Sequence, residues 1–207
     1  MADDPLLYTN PMSRGRVARW MLEEIGEPYA VELLGYGDSM KAPAYLAVNP
    51  LGKVPALVHR ERVVTEGAAI CAYLADAFPK AGLAPDPADR ADYYRWLFFA
   101  AGPLEAALVN GALGVEVPDD KRGMVGYGDV ATLLDMLEAA CEKHPYLAGE
   151  SFSAADVSAG SQIGGGLQFA TVERRPAFED YWARVSAREA YGRARALDDA
   201  AMQTTSG

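Results

Sequence analysis

Tyr8-Thr9-Asn10-Pro11-Met12-Ser13-Arg14-Gly15-Arg16 brings a phenol, an amide and a hydroxyl into one short stretch, at Tyr8, Asn10 and Ser13. Each can steady an anion held beside that stretch. Ser13 precedes a helical period, so its hydroxyl and the positive end of the helix can face the same ligand atom. The same serine also reads as a plain helix N-cap. A second anion-binding position opens at Thr65-Glu66-Gly67-Ala68-Ala69-Ile70, where another helix begins and its N–H groups can take a carboxylate. The simpler reading there has Thr65 and Glu66 only capping the helix. Between the two lies Asn49-Pro50-Leu51-Gly52-Lys53-Val54-Pro55-Ala56-Leu57, where turn residues run into an apolar strand. Arg14, Arg16, Arg19 and Lys53 form a local basic patch that can steer an anionic ligand. Arg19 and Glu23 are equally well spaced as an i,i+4 pair on a solvated helix face.

Other chemistries are poorly supplied. His59 and His144 lie far apart without metal-ligand spacing, so each reads as a surface or turn residue and no metal is expected. Cys71 and Cys141 form neither a C-x-x-C motif nor a disulfide framework. Gly164-Gly165-Gly166 lacks the preceding strand and following Lys-Ser/Thr of a phosphate loop, which leaves close helix packing as its reading. The 207 residues hold 19 Lys plus Arg against 29 Asp plus Glu, a net charge of −10. Phosphate-neutralising proteins carry the opposite balance, so no nucleic-acid partner is expected. No apolar run approaches the ~18 residues needed to cross a bilayer, and no membrane partner is expected. The acidic start, Met1-Ala2-Asp3-Asp4-Pro5, is neither a secretory signal nor a basic transit peptide, so the expected location is cytoplasmic.

The elements that must position these residues change character near residue 80. Leu6 to Thr9 reads as a short buried strand. Val17, Trp20, Met21 and Ile25 recur at helical spacing, with Gly26 and Pro28 as stop signals. Tyr29, Val31 and Leu33 alternate with Ala30 and Glu32 as a second strand. A helical turn or two covers Pro43 to Val48, and Ala56-Leu57-Val58 with Val63-Val64 reads as a hairpin. Thr65 then caps a helix that carries Ile70, Leu74 and Phe78 and stops at Pro79. A helical crossover makes the first two strands parallel, and the hairpin adds antiparallel ones.

Residues 81–88 are a Pro-rich linker, and the rest reads as helix. Tyr93 to Ala101 is apolar nearly all round and predicts a buried helix that kinks or ends at Gly102-Pro103. Gly111 to Gly128 is a loose glycine-rich connection. Leu133, Leu134, Leu137, Ala140 and Cys141 define another helix, and two more follow Ser153 and Pro176. Ser153 and Asp156 form a capping box, with Phe152 and Val157 at the hydrophobic-staple positions.

This order of elements, together with the strings at residues 8–16, 49–57, 65–70 and 152–157, resembles a cytosolic, bacterial-type glutathione S-transferase from about Leu6 to about Leu197. The resemblance implies an α/β plus all-α protein. A thioredoxin-like βαβαββα domain over residues 1–80 binds glutathione. The linker 81–88 then leads to an all-helical bundle domain over 89–207 that contributes the acceptor-substrate site.

In the family the N-P-x-G-x-V-P string carries a cis Val-Pro bond, an isomer that only proline holds at modest cost. It leaves the Val54 backbone open for a peptide to add as a strand. The resemblance thus assigns Val54 and Pro55 to the cysteinyl portion of glutathione, Lys53 to its glycyl carboxylate, and Glu66 and Gly67 to its γ-glutamyl end. Family members usually have serine where Gly67 stands, so one hydroxyl is missing here. For the residue facing the sulfur, Ser13 ranks first, then Asn10, then Tyr8. In thioredoxin-like and glutaredoxin-like proteins the equivalent turn carries C-P-x-C, and its absence disfavours dithiol exchange. Met12, Phe99 and Tyr127 are candidates for the acceptor site, although Tyr93, Trp96 and Phe99 also read as core. The implied activity is attack of the glutathione thiolate on a small hydrophobic electrophile, a detoxification reaction carried out by a homodimer. Alternatives on the same fold are a glutathione-dependent peroxidase, isomerase or dehalogenase, or a non-catalytic glutathione-binding regulator.

Overall fold

The structure is a computed structural model and describes residues 4–205. Its contacts divide the chain into two compact units: one runs to Gly82 and resumes at Ala187, and the other is Leu83–Ser186. The first contains a four-stranded sheet in the order β2-β1-β3-β4. β1 (Leu6–Thr9) pairs parallel with β2 (Ala30–Leu33) and antiparallel with β3 (Ala56–His59), which pairs antiparallel with β4 (Arg62–Thr65). The crossover between the parallel strands is α1 (Gly15–Ile25), which ends where Gly26 turns left-handed at φ 75°. A short α2 (Pro43–Leu46) precedes β3, and α3 (Gly67–Ala77) follows β4. Leu7 and Leu57 of the sheet, Met21 and Leu22 of α1, and Ile70 and Leu74 of α3 are fully buried and form the core. This is the thioredoxin-like arrangement expected from the sequence.

Four local expectations are corrected in this unit. Thr65 does not cap α3: it completes β4, and Glu66 occupies the N-cap position without a capping hydrogen bond. His59 is buried rather than on the surface, with Nδ1 2.9 Å from the Tyr73 hydroxyl and its ring stacked on Phe78. Arg19 is not on a solvated face paired to Glu23. It is buried, and its Nε donates to Asp198 at 2.8 Å. Finally, the chain ends in a further helix, α9 (Glu189–Thr205), whose contacts place it in this unit rather than with the helices it follows. Charge pairs and apolar packing line the α1–α9 seam: Glu24 meets Arg188, just before α9, and Glu23 meets Arg193 at one end, Arg19 and Arg16 meet Asp198 and Asp199 at the other, and the Trp20 ring packs edge-on to Tyr191.

The second unit is helical. α4 (Ala91–Phe99) continues through a π-helical turn, Ala100–Leu104, into α5 (Glu105–Ala112). Pro103 sits inside that turn, so Gly102-Pro103 widens the helix instead of ending it. α4 is not apolar and buried on all sides: Tyr93 and Trp96 are buried, but Phe98 is 73% exposed and Tyr94 44%. α6 (Val130–Lys143), α7 (Ala154–Gln168) and α8 (Pro176–Ser186) complete the unit. α7 is its buried centre, and its glycines admit neighbours closely. A Cβ at Gly164 would stand 2.6 Å from the Trp182 ring, and one at Gly166 would stand 2.2 Å from Val172.

The capping box at the start of α7 is present and extended. Asp156 accepts from the Ser153 N–H and hydroxyl and also from the Leu147 N–H and the Tyr181 hydroxyl. Burial raises the Asp156 carboxyl pKa, with those four donors pulling the other way. The linker expected at 81–88 carries an anchor, because Leu83 is buried and its carbonyl accepts the Ala154 N–H at 2.8 Å. Among the described residues no helix is long and apolar enough to cross a membrane.

Candidate functional site

The turn between β1 and α1 is built around Asn10. Its Nδ2 donates to the Leu34 carbonyl at 2.7 Å, and its Oδ1 accepts from the Met12 N–H at 2.9 Å. Its carbonyl accepts twice, from the Ser13 N–H at 3.0 Å and from the Ser13 hydroxyl at 2.7 Å. The Ser13 oxygen in turn accepts from the Gly15 N–H at 2.9 Å. Ser13 therefore lies just before α1, whose N-cap is Arg14, with its oxygen held and its one proton lent to a carbonyl that has a second donor. Tyr8 is half-buried, with its ring 5.3 Å from Tyr45 in a cluster with Leu34, Met40 and Ala56. Burial first, and Glu32 second, raise its pKa, so the phenol stays protonated near neutrality.

Two residues of this turn carried no sequence signal of their own. Thr9 is buried, and its hydroxyl has no partner among the described residues. Gly15 is in contact with it: a Cβ at position 15 would lie 1.9 Å from Thr9 Oγ1 and 2.9 Å from Ser13 Oγ. Only glycine lets the first turn of α1 approach β1 this closely.

The second part of the site is the loop before β3. Val54–Pro55 is a cis peptide. Val54 precedes the strand ladder, which starts at Ala56, and among the described residues no backbone hydrogen bond takes its N–H or carbonyl. The loop is fastened from below: Asn49 Nδ2 and the Tyr45 hydroxyl both donate to the Lys53 carbonyl, at 2.8 and 2.5 Å. Lys41 Nζ donates to the Leu51 and Gly52 carbonyls at 3.0 and 2.9 Å. Gly52 is left-handed at φ 57°, and a Cβ there would stand 2.7 Å from the Met40 carbonyl oxygen. Tyr45 and Lys41 belong to this fastening and were not singled out by sequence. The Lys53 side chain is exposed.

The third part is the N-terminus of α3. Glu66 is exposed and held at φ 68°, a left-handed conformation costing a non-glycine residue about 1–3 kcal/mol. Gly67 follows as the first helical residue, and a Cβ added there would meet nothing within 4 Å.

The acceptor-site candidates are divided between the units. Met12 is 70% exposed on the β1–α1 turn. Phe99 is half-buried at the end of α4, edge-on to Trp96 at 5.3 Å. The Tyr127 hydroxyl accepts from Asn110 Nδ2 at 2.9 Å. The basic patch is partly consumed by structure, since Arg16 and Arg19 both pair with carboxylates of α9. Surface grooves run along α1, β2 and α9, lined by Arg19, Tyr29, Arg193 and Leu197, and none of the residues assigned to the sulfur, the glutathione backbone or the acceptor lines them. Cys71 and Cys141 are buried, and burial pushes each thiol up to about 12. Among the described residues no group of three His, Cys, Asp or Glu side chains is placed to hold a metal ion.

Comparison with known proteins points to glutathione S-transferases, with a disulfide-bond oxidoreductase of Escherichia coli also among the relatives at 28% identity. The domain described as "Glutathione S-transferase, N-terminal domain" matches residues 12–77, a span that starts within the turn after Asn10 and holds Ser13, the cis loop and the α3 N-terminus. Glutathione S-transferase 3 of Zea mays is 32% identical over 166 residues, covering 73% of this chain and 74% of the maize protein. Glutathione S-transferase GST-4.5 of Xanthomonas campestris pv. campestris is 30% identical over 162 residues, covering 72% and 76%. Among solved structures, the theta class glutathione S-transferase of Xanthomonas axonopodis pv. citri, with glutathione bound, superposes with a TM-score of 0.74. It is 28% identical, and the match covers 93% of this chain and 97% of that one.

Proposed function

The chain belongs to the glutathione S-transferase family, and from that premise we propose that it activates the thiol of glutathione for attack on a small hydrophobic electrophile, with Ser13 as the thiol's hydrogen-bond donor. The observation that carries this reading is the bonding of Ser13. Its proton can leave the Asn10 carbonyl for a thiolate without orphaning that carbonyl, which keeps the Ser13 N–H. The Ser13 oxygen meanwhile stays fixed by the Gly15 N–H. The positive end of α1 adds favourable potential at the same place. Asn10 is the weaker candidate because both ends of its amide hold the turn. Tyr8 is the weaker candidate because its ring is engaged with Tyr45.

Bound glutathione supplies the sulfur nucleophile. The Val54 N–H and carbonyl hold its cysteinyl backbone as a strand partner, with cis Pro55 completing that surface. Glu66 accepts from the γ-glutamyl amine, and the Gly67 N–H takes the neighbouring carboxylate at the helix end. Exposed Lys53 reaches the glycyl carboxylate. The unusual backbone of Glu66 supports this assignment, since strain of that kind collects at ligand clamps. Met12, Phe99 and Tyr127 are the residues assigned to the acceptor. In this reading the protein is a cytoplasmic homodimer with a detoxification role.

The test is Ser13→Ala. The expected result is a fall in kcat/KM toward an aryl halide of about tenfold, the loss of one donor to a charged atom, with the KM for glutathione little changed. An unchanged kcat/KM sinks the assignment of Ser13. A second reading, a glutathione-binding regulator without catalysis, is favoured by one observation: the Ser13 proton is already committed within its own turn. Glutathione binding without turnover of aryl halides, peroxides, cis–trans isomerisable or dehalogenation substrates would establish it.

A further inference from the structure

Of the four charge pairs that α1 makes with α9 and the residue before it, one also reaches the candidate catalytic turn. Arg16 Nη2 donates to Asp199 Oδ1 at 2.8 Å, while Arg16 Nε donates to the Pro11 carbonyl at 2.6 Å. Pro11 lies between Asn10 and Ser13, so the guanidinium bridges the C-terminal helix to the middle of the turn. The other arginines of the seam, Arg19, Arg188 and Arg193, make their seam contacts away from that turn, with Asp198, Glu24 and Glu23.

We propose that Asp199 is a positioning residue for the thiol-activating turn, acting through Arg16 on the Pro11 carbonyl, so that the C-terminal helix sets how the Ser13 hydroxyl is presented. This rests on the reading of Ser13 given above. The argument is geometric. A guanidinium is planar, so a carboxylate on one edge fixes the direction of the Nε–H on the other. The Arg16 side chain is 36% exposed and Asp199 41%, so burial locks neither, and polar contacts, this pair among them, set their orientation. A reacting atom displaced by a fraction of an ångström loses rate steeply. Arg16, through its hydrogen bond first, holds the Asp199 carboxyl below the usual range, so the carboxylate stays charged at neutral pH. Arg195 Nε, 3.5 Å from the other Asp199 oxygen, braces the carboxylate from α9 itself.

The experiment uses the full chain as wild type, Asp199→Ala, Arg16→Lys and Arg193→Ala. Arg16→Lys keeps the charge but loses the planar fork, whereas Arg193→Ala removes a pair between the same two helices that does not touch the turn. Ultraviolet titration of the bound glutathione thiolate against pH is read beside kcat/KM and the thermal midpoint. Asp199→Ala and Arg16→Lys are expected to raise the bound thiol's pKa by about half a unit. They are also expected to lower kcat/KM by about tenfold, with the glutathione KM nearly unchanged. Arg193→Ala should leave both quantities at the wild-type value. The proposal is overturned if Arg193→Ala matches Asp199→Ala, which would mean helix docking alone, or if a folded Arg16→Lys keeps the wild-type thiol pKa. Wild type without any thiolate defeats the Ser13 reading and this one with it. Thiolate that is unaltered in Asp199→Ala defeats only this one.

Discussion

Gly67→Ser is expected to tighten glutathione binding by about 10- to 100-fold. A hydrogen bond to a charged group is worth ~1.5–3 kcal/mol, and each 1.4 kcal/mol is a factor of ten. The substitution adds such a bond at low cost. Gly67 is the first residue of α3, its backbone is not left-handed, and a Cβ there meets nothing within 4 Å. The new hydroxyl would join the helix N-terminal N–H groups that are assigned to the γ-glutamyl carboxylate. Calorimetric titration of glutathione into the variant and wild type reads the change directly. Unchanged affinity would mean that the carboxylate does not bind at the α3 N-terminus. Gly67→Ala, which fills the same space without a donor, should stay near wild type.

The largest stability effect is expected at Asp156, outside the site. Its two oxygens take four donors, from Leu147, Ser153 (twice) and Tyr181, and the carboxylate is fully buried. Asp156→Ala removes every acceptor and leaves the Leu147 N–H and the Tyr181 hydroxyl buried without partners. The expected loss is about 3–5 kcal/mol, the scale of breaking a buried charged cluster. Ser153→Ala, which removes only the cap and one donor, is expected to cost about 0.5–2 kcal/mol. Chemical denaturation of the two variants separates a cap from a hub. If both lose the same amount, Asp156 is only the second half of a capping box.

How far the sequence reaches follows from the range of the forces involved. The sheet unit was legible because its signals are local: Gly26 stops α1 and β-rich runs make the strands, while the cis peptide followed from the family resemblance of the Asn-Pro-Leu-Gly-Lys-Val-Pro string. The Ser153–Asp156 box was legible for the same reason. What was hidden depends on residues far apart in the chain. Arg19 looked like half of a surface i,i+4 pair because its actual partner, Asp198, lies 179 residues away. The placement of α9 was hidden likewise, since its charges make sense only against those of α1. Tyr94 and Phe98 looked buried because composition alone does not say which side of α4 lacks a neighbour. In the site, the candidate donors were readable, but not the bonding on which the proposed ranking rests. That ranking needs the Asn10 amide seen on Leu34 and the Gly15 Cα seen against Thr9.

The measurement that tests the account most directly is the pH titration of glutathione thiolate absorbance in the wild-type complex. One donor and a helix end together supply close to ~2.7 kcal/mol, so the bound thiol should ionise about two units below free glutathione. A bound thiol that ionises where the free one does would contradict the account, leaving a family member that holds glutathione without activating it.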